Sequence, residues 1–271
     1  MAELKEKYSY SKISTFESCK LKYKYAYLDK LYINDSPLVT RKGNAFHNSV
    51  DELAHIKDLT QEDAEKKIIE NAAKYNISKD EAEKCKLLFG IDKWLEFKQA
   101  YIDKAVSFDT EKHYIYTFGK NQMTCVLDLI IKKENDAVWI FDYKTPSSKD
   151  SSRYMTQTNL YRYFYSKLSS VPLEKIHSFI FYPLVQQKME SSIEETTMDA
   201  EQTALLIQNV AKTMADMKLF NPEGVAINDL KSEGFGCMFC QYANTIPDLK
   251  KGYRGCITTE SKAQLHKAIF S

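Results

Sequence analysis

The chain has 271 residues, of which 44% are hydrophobic and 28% are charged, and its formal net charge is +1. This length is sufficient for one sizeable hydrophobic core. The near-neutral charge argues against a uniformly basic nucleic-acid-binding protein, so such binding would depend on local clusters of positive charge. Residues 1–11 contain no apolar segment of the signal-peptide kind, and no run approaches the roughly 20 apolar residues of a membrane span. We therefore expect a soluble protein of the cytoplasm that does not associate with membranes.

Residues 8–31 combine aromatic residues and lysines with helical periodicity. Ser14 and Glu17 have the spacing of a capping box, which predicts a helix that begins near Ser11 or Ser14. Aromatic rings interleaved with lysines can bind nucleic acid, since the ring can stack on a base and the lysine can pair with a phosphate. A helix with an aromatic core face and a solvated lysine face explains the same pattern.

The next two segments are also predicted to be helical. Residues 41–55 enter a helix through Gly43-Asn44, and His47 lies within it. A single histidine on a helix is most often structural. Residues 57–106 carry apolar residues at helical spacing, and we interpret them as a helical insertion with an accessory role.

A strand over residues 107–118 and a turn over 119–122 lead into the most informative stretch, a hairpin of strands 123–133 and 137–144. Its three-residue loop sets a register in which paired residue numbers add up to 270, so Asp128 lies opposite Asp142. Lys144 shares the face of Asp142, because alternate residues of a strand point the same way. Opposed carboxylates need a cation between them, which favours Mg²⁺ or Mn²⁺. A surface hairpin with an ordinary exposed Asp142–Lys144 pair is the alternative.

Residues 151–168 are predicted to form a helix in which Gln157 and Tyr161, four apart, face the same way. Near the C-terminus, Cys237 and Cys240 have a C-x-x-C spacing that lets both thiolates reach one metal. Six cysteines in an intracellular chain indicate thiols or metal ligands rather than disulfides, and unligated cysteines are the alternative. Between the helix of residues 151–168 and the cysteine pair, residues 176–184 and 188–198 are predicted to form strands and residues 201–219 a helix.

Asp128 followed by Asp142-Tyr143-Lys144-Thr145 resembles the D…(D/E)xK signature of the PD-(D/E)XK nuclease superfamily. The D-Y-K-T sequence, followed by a Q-x-x-x-Y pair, resembles the motifs of the RecB-type branch. This branch includes the AddB nuclease domain and the CRISPR-associated iron–sulfur exonucleases. The resemblance implies an α/β fold over residues 1–271, with a restriction-endonuclease-like mixed sheet of about five strands flanked by helices.

The resemblance also implies roles for particular residues. The G-x-x-x-H pattern that ends at His47 is similar to the metal-binding histidine motif of the family, so the implied ligands of Mg²⁺ or Mn²⁺ are His47, Asp128 and Asp142. Lys144 would orient the attacking water or the phosphate. Gln157 and Tyr161 would position the substrate. The implied catalytic residues are Asp128, Asp142, Lys144, Gln157 and Tyr161.

The segment around Cys19, S-x-S-x-I-x-x-F-x-x-C-x-x-x-Y-x-Y, resembles the N-terminal segment of RecB-type nucleases, whose cysteine is the first ligand of an iron–sulfur cluster. The implied cluster region joins residues 234–256 to this segment. Its ligands would be Cys19, Cys237, Cys240 and Cys256, around a 4Fe–4S cluster. Zinc would use the same four thiolates.

These expectations together describe a metal-dependent DNA nuclease, specifically an exonuclease on single-stranded or end-bearing DNA. Its setting would be DNA repair, recombination, or phage or CRISPR DNA processing, with a helicase or similar partner and with homo-oligomers as a further expectation. The alternative is a non-catalytic DNA-binding or assembly protein that retains the fold. The presence of Asp128, Asp142 and Lys144 together favours an enzyme, because such charges have no use in packing.

Overall fold

The computed structural model describes residues 7–31, 37–230, 232, 240 and 242. The chain divides into two compact units, one of Met1–Lys7 and Pro37–Gln208 and one of Tyr8–Ser36 and Asn209–Ser271. The single nuclease domain predicted over residues 1–271 stays a prediction. Among the described residues, no helix is both long and apolar enough to cross a membrane.

The strands are β1 (Lys7–Ser9), β2 (Ser107–Phe118), β3 (Asn121–Lys132), β4 (Val138–Tyr143), β5 (Ile176–Phe181) and β6 (Ile193–Glu195). The α-helices are α1 (Tyr10–Ser18), α2 (Lys20–Tyr23), α3 (Leu38–Ala54), α4 (Gln61–Lys74), α5 (Lys79–Lys84), α6 (Leu87–Phe97), α7 (Met155–Ser169), α8 (Ala200–Leu219) and α9 (Ile227–Leu230). Two π-helical turns, Lys24–Leu28 and Lys98–Ile102, extend α2 and α6.

Strands β2 to β6 of the first unit form a mixed sheet in the order β2-β3-β4-β5-β6. The pairs β2/β3, β3/β4 and β5/β6 are antiparallel, whereas β4 and β5 are parallel. A parallel pair needs a crossover connection, and α7 provides it while packing on both strands. The predicted fold class, a mixed sheet flanked by helices, is confirmed.

The main core of the first unit lies between this sheet and helices α3 to α6. Trp94 and Phe97 of α6 are fully buried. Phe97 stacks on Phe181 with ring centroids 4.6 Å apart and meets Phe141 edge-on at 4.9 Å. The helices of residues 57–106 therefore supply one side of the main core, because their apolar residues cover the sheet.

The first helix begins within one residue of the predicted Ser11, but the predicted capping box at Ser14 and the predicted start of the next helix at Gly43 are wrong. Helix α1 begins at Tyr10, with the Ser9 hydroxyl accepting a hydrogen bond from the amide of Lys12 at 3.2 Å. Ser14 lies inside that helix, where its hydroxyl donates to a backbone carbonyl, so it forms no capping box. Helix α3 begins at Leu38, and Gly43 lies within it. A Cβ at Gly43 would stand 3.4 Å from the Thr145 hydroxyl, so a small residue suits this close approach.

The second unit contains α1, α2, α9 and the end of α8. Its small core consists of Leu21, Tyr25, Leu230 and Tyr242. The Tyr242 hydroxyl donates to the Leu31 carbonyl at 3.0 Å, which links distant parts of the sequence. Two cysteines, Cys19 and Cys240, pack against this same cluster.

Candidate active site

The hairpin of β3 and β4 positions the candidate site. Its ladder runs from Lys132 opposite Val138 to Leu129 opposite Phe141, so paired residue numbers add up to 270 as predicted. The loop is the expected three residues long: the amide of Lys133 bonds to the carbonyl of Ala137 at 2.9 Å. Asp128 follows the last ladder pair, and its Oδ2 accepts a hydrogen bond from the Tyr143 amide at 2.7 Å. The loop length thus brings Asp128 beside the end of β4.

Asp142 and Lys144 form a buried ion pair at the end of β4. The Asp142 Oδ2 and Lys144 Nζ atoms are 2.6 Å apart, and the two side chains are 7% and 19% exposed. Lys144 also donates to Gln157 Oε1 at 3.1 Å, and Gln157 in turn donates to the Tyr161 hydroxyl at 3.3 Å. Lys144 follows β4, whereas Gln157 and Tyr161 lie on α7. Their contacts therefore depend on the α7 crossover, which connects β4 to β5. The pair is not the ordinary exposed one of the alternative interpretation.

The Tyr154 ring lies 4.9 Å from Lys144 Nζ, a distance that permits a cation–π contact. Sequence analysis did not identify this residue, because nothing in the pattern S-S-R-Y marks an aromatic ring that will contact a lysine ten residues earlier. Lys144 therefore has a carboxylate, an amide and an aromatic ring around it, which hold its ammonium group in place.

His47 on α3 faces oxygen atoms on both sides of its ring. Its Nε2 lies 3.1 Å from the Tyr143 carbonyl oxygen, while its Nδ1 lies 3.4 Å from Glu111 Oε1 and 3.6 Å from Asp128 Oδ2. Of the two aspartates predicted to lie beside His47, Asp142 and Asp128, the structure places Asp128, about 80 residues later in the sequence, 3.6 Å from it. A ligating histidine commonly donates its second ring N–H to a carbonyl, and Tyr143 offers that partner here.

Glu111 on β2 is the residue of this group that sequence analysis missed. One ligand atom from each of His47, Glu111 and Asp128 lies within 4.8 Å of the other two. The reason for the omission is the turn before β3. Phe118 pairs with Asn121, so the turn between β2 and β3 has two residues. The numbers of paired residues therefore add up to 239, and this register puts Glu111 opposite Asp128. The predicted four-residue turn over 119–122 would have put His113 there instead.

The electrostatic environment is that of a buried, negatively charged site. Burial alone would lower the pKa of His47, but Asp128 and Glu111 outweigh burial and raise that pKa to about 9. Burial is the largest influence on Asp142 and raises its pKa to about 6, against the opposing effect of Lys144. Burial likewise raises the pKa of Asp128. The raised pKa of His47 therefore favours a protonated imidazole at neutral pH when no metal is bound.

This set of donors fits a divalent cation. Carboxylate oxygens suit Mg²⁺ and Mn²⁺, and imidazole is accepted by Mn²⁺ and by later transition metals. One ligand atom from each of His47, Glu111 and Asp128 lies within 4.8 Å of the other two, a spacing that one ion could bridge. Asp142, whose Oδ2 atom lies 2.6 Å from Lys144 Nζ, is not a member of that group.

The other histidines and cysteines of the described residues lie elsewhere. His55 stacks on Phe108 with ring centroids 5.0 Å apart, and His177 pairs with Glu195 at 3.0 Å. Cys125 is buried in β3. Of the four proposed cluster ligands, Cys19 and Cys240 belong to the second unit, and Cys237 and Cys256 lie outside the described residues.

Comparison with known proteins agrees with this geometry. The sequence model of the PD-(D/E)XK nuclease superfamily matches residues 7–245. No curated protein sequence matches the chain significantly. Among solved structures, one from Eubacterium rectale, provisionally named an exonuclease, is similar with a TM-score of 0.50 at 11% identity, covering 79% of this chain and 80% of its own. At that identity the likeness speaks to the fold alone.

Two further solved structures are more distant. SSO0001 has a TM-score of 0.33 at 14% identity, with coverage of 74% of this chain and 85% of its own. VC1899 from Vibrio cholerae has a TM-score of 0.27 at 9% identity, with coverage of 79% and 57% respectively.

Proposed function

The chain belongs to the PD-(D/E)XK nuclease superfamily, and on that premise we propose that it is a divalent-metal-dependent deoxyribonuclease of the RecB type. The proposed substrate is single-stranded DNA or DNA with free ends, hydrolysed as by an exonuclease. The observation that carries the proposal is the convergence of His47, Asp128, Asp142 and Lys144 from one helix and two strands into one buried cluster. An intact charged cluster of this kind has no role in packing.

His47, Asp128 and Asp142 are the proposed holders of Mg²⁺ or Mn²⁺. When bound, such an ion lowers the pKa of a coordinated water and stabilises negative charge on the phosphate in the transition state. Lys144 is the protein group that orients the attacking water or the phosphate. Its ammonium group is already held by Asp142 and Gln157, so little reorganisation is needed during the reaction.

Gln157 and Tyr161 are proposed to position the DNA, in part through the orientation of Lys144. Gln157 connects Lys144 to the Tyr161 hydroxyl, and Tyr161 is only 8% exposed. Such a chain fixes the orientation of the lysine, and a small displacement of a catalytic group can lower a rate about 100-fold. We therefore expect Gln157→Ala to lower the turnover number more than it weakens DNA binding.

We propose a 4Fe–4S cluster bound by Cys19, Cys237, Cys240 and Cys256, with zinc as the alternative occupant. In support, Cys19 and Cys240 pack against the same apolar cluster of the second unit although they are far apart in sequence. Protein purified without oxygen should be brown and contain iron and sulfide. One zinc per chain would replace iron in the proposal, and the absence of any metal would refute the ligand set.

The proposed cellular setting is a process that removes DNA strands from their ends. DNA repair, recombination, or phage or CRISPR DNA processing all require removal of DNA strands from ends, and a helicase partner would supply such strands. A cytoplasmic location and a homo-oligomer complete the proposed setting.

The deciding experiment is cleavage of end-labelled single-stranded DNA by the purified protein with Mg²⁺, with Mn²⁺, or with EDTA. We expect metal-dependent cleavage that His47→Ala abolishes. His177→Ala is the matched control, because this histidine also pairs with a glutamate but lies outside the cluster. DNA binding without cleavage in either metal would favour the non-catalytic alternative. Equal activity in the His47 variant and the control would refute the assigned site.

A further inference from the structure

The backbone of Glu111 departs from the strand that contains it. Its φ is +44°, although β2 continues as a strand on both sides. The ladder pairs Thr110 with Leu129 and Lys112 with Leu127, and the regular pair expected between them, Glu111 with Asp128, is interrupted. A left-handed conformation is unfavourable for an L-residue with a side chain. Glycine would adopt it without strain, so the conformation has a cost in stability that the contacts of the Glu111 side chain can offset.

The contribution of that side chain is visible at His47. Glu111 Oε1 lies 3.4 Å from His47 Nδ1, and Asp128 Oδ2 lies 3.6 Å from the same nitrogen. The opposite nitrogen is occupied by the Tyr143 carbonyl, so Nδ1 is the ring atom left for a ligand. Both carboxylates therefore face the coordinating atom of the imidazole. Strained backbone of this kind is typical of functional sites.

We propose that Glu111 is a protein ligand of the divalent ion, in addition to the histidine and aspartates of the nuclease motif. The proposal rests on the proposed function of this site. The set of His47 Nδ1 with the carboxylates of Glu111 and Asp128 combines one nitrogen with oxygens. Because Mg²⁺ prefers all-oxygen surroundings whereas Mn²⁺ also accepts imidazole, this set should bind Mn²⁺ more tightly than Mg²⁺.

Two substitutions separate a ligand from a residue that only orients His47. Glu111→Gln keeps an oxygen that can accept a hydrogen bond from the imidazole, but it removes the charged ligand. Glu111→Gly also relieves the left-handed backbone, so this variant remains informative if the glutamine variant folds poorly. Glu195→Gln is the matched control, since Glu195 likewise pairs with a histidine Nδ1, at 3.0 Å.

The measurement is titration of the full-length chain with Mn²⁺ and, separately, Mg²⁺, by calorimetry and by the electron paramagnetic resonance signal of free Mn²⁺. We expect Glu111→Gln and Glu111→Gly to weaken Mn²⁺ binding by at least about tenfold, the lower end of the loss seen even for groups surrounding metal ligands. Glu195→Gln should leave it unchanged. In EDTA, Glu111→Gly should melt at the wild-type temperature or above it.

The outcomes also distinguish this proposal from the proposed function. Wild-type Mn²⁺ affinity in both Glu111 variants, together with loss of binding in His47→Ala, would overturn the role of Glu111 and leave the nuclease site standing. No Mn²⁺ binding by the wild-type chain would overturn both. Mg²⁺ binding as tight as Mn²⁺ binding would overturn the inferred metal preference.

Discussion

Replacing Lys144 with methionine tests whether this lysine compensates the buried charge of Asp142. The substitution keeps most of the apolar stem but removes the ammonium group 2.6 Å from the carboxylate. The pKa of Asp142 is already raised from 3.8 to about 6 with the lysine present, burial being the main cause. At about 1.36 kcal/mol for each pKa unit, ionised Asp142 costs the wild-type protein about 3 kcal/mol of stability.

Without the lysine the pKa of Asp142 must rise further, and the carboxyl can avoid the cost of ionisation by remaining protonated. Forcing a carboxyl with an ordinary pKa of 3.8 to stay protonated at pH 7.5 costs about 5 kcal/mol. Lys144→Met should therefore lower the free energy of unfolding by up to about 2 kcal/mol at pH 7.5. For a chain of this size that corresponds to roughly 4–8 °C in melting temperature.

The sign of the pH dependence follows from the raised pKa. Protonated Asp142 carries no burial penalty, and the penalty of the wild type develops as pH rises from about 4 to about 6. In the variant the penalty keeps growing above pH 6. The difference in the free energy of unfolding between the two proteins should thus be smaller near pH 5 than at pH 7.5.

The assay is urea denaturation of both proteins in EDTA at pH 5 and pH 7.5. The double variant Asp142→Asn/Lys144→Met, which has no charge at either position, is the control and should be at least as stable as the wild type. A single variant as stable as the wild type at pH 7.5, or a deficit as large at pH 5 as at pH 7.5, would refute the reasoning. In the cleavage assay Lys144→Met should lose about two to three orders of magnitude in rate, and full activity would refute the role of the lysine.

Two further predictions concern the core that supports the site. A Cβ added by Gly90→Ala would clash with Leu184 Cδ2 and would lie 3.4 Å from the ring of Phe46, so we expect a loss of about 1–3 kcal/mol in thermal denaturation. Leu184→Ala removes the clashing methyl group but leaves a cavity of its own, so Gly90→Ala should cost little when it is added to Leu184→Ala, and an equal loss in both backgrounds would contradict the clash. Lys93 donates to the Val185 carbonyl and to a serine hydroxyl, and burial lowers its pKa from 10.5 to about 8. Between pH 8 and 10.5 the unfolded chain therefore binds more protons at Lys93 than the folded chain does. In urea titrations the free energy of unfolding of the wild type should rise relative to that of Lys93→Met from pH 7.5 to pH 9.5. A stability difference that stays constant or falls over this range would contradict the prediction.

The sequence alone determined the part of the site that depends on local geometry. A three-residue loop fixes the register of a hairpin, and alternation fixes the faces of its strands, so Asp128, Asp142 and Lys144 could be grouped by counting residues. The spacing of Gln157 and Tyr161 on one helix face is equally local, and the hydrogen bond between them at 3.3 Å follows from it. The family signature rests on these same short-range patterns.

Only the tertiary structure decided the rest. Glu111 lies in the site because the turn before β3 has two residues rather than four and because the backbone of Glu111 is left-handed. The sequence predicts neither feature, since Gly119-Lys120 permits several turn lengths. Residues 57–106 were predicted to have an accessory role, but α6 packs onto the sheet, so this segment forms one side of the core. The burial that raises the pKa of Asp142 also arises from elements distant in sequence, because desolvation depends on everything packed around a group rather than on its neighbours along the chain.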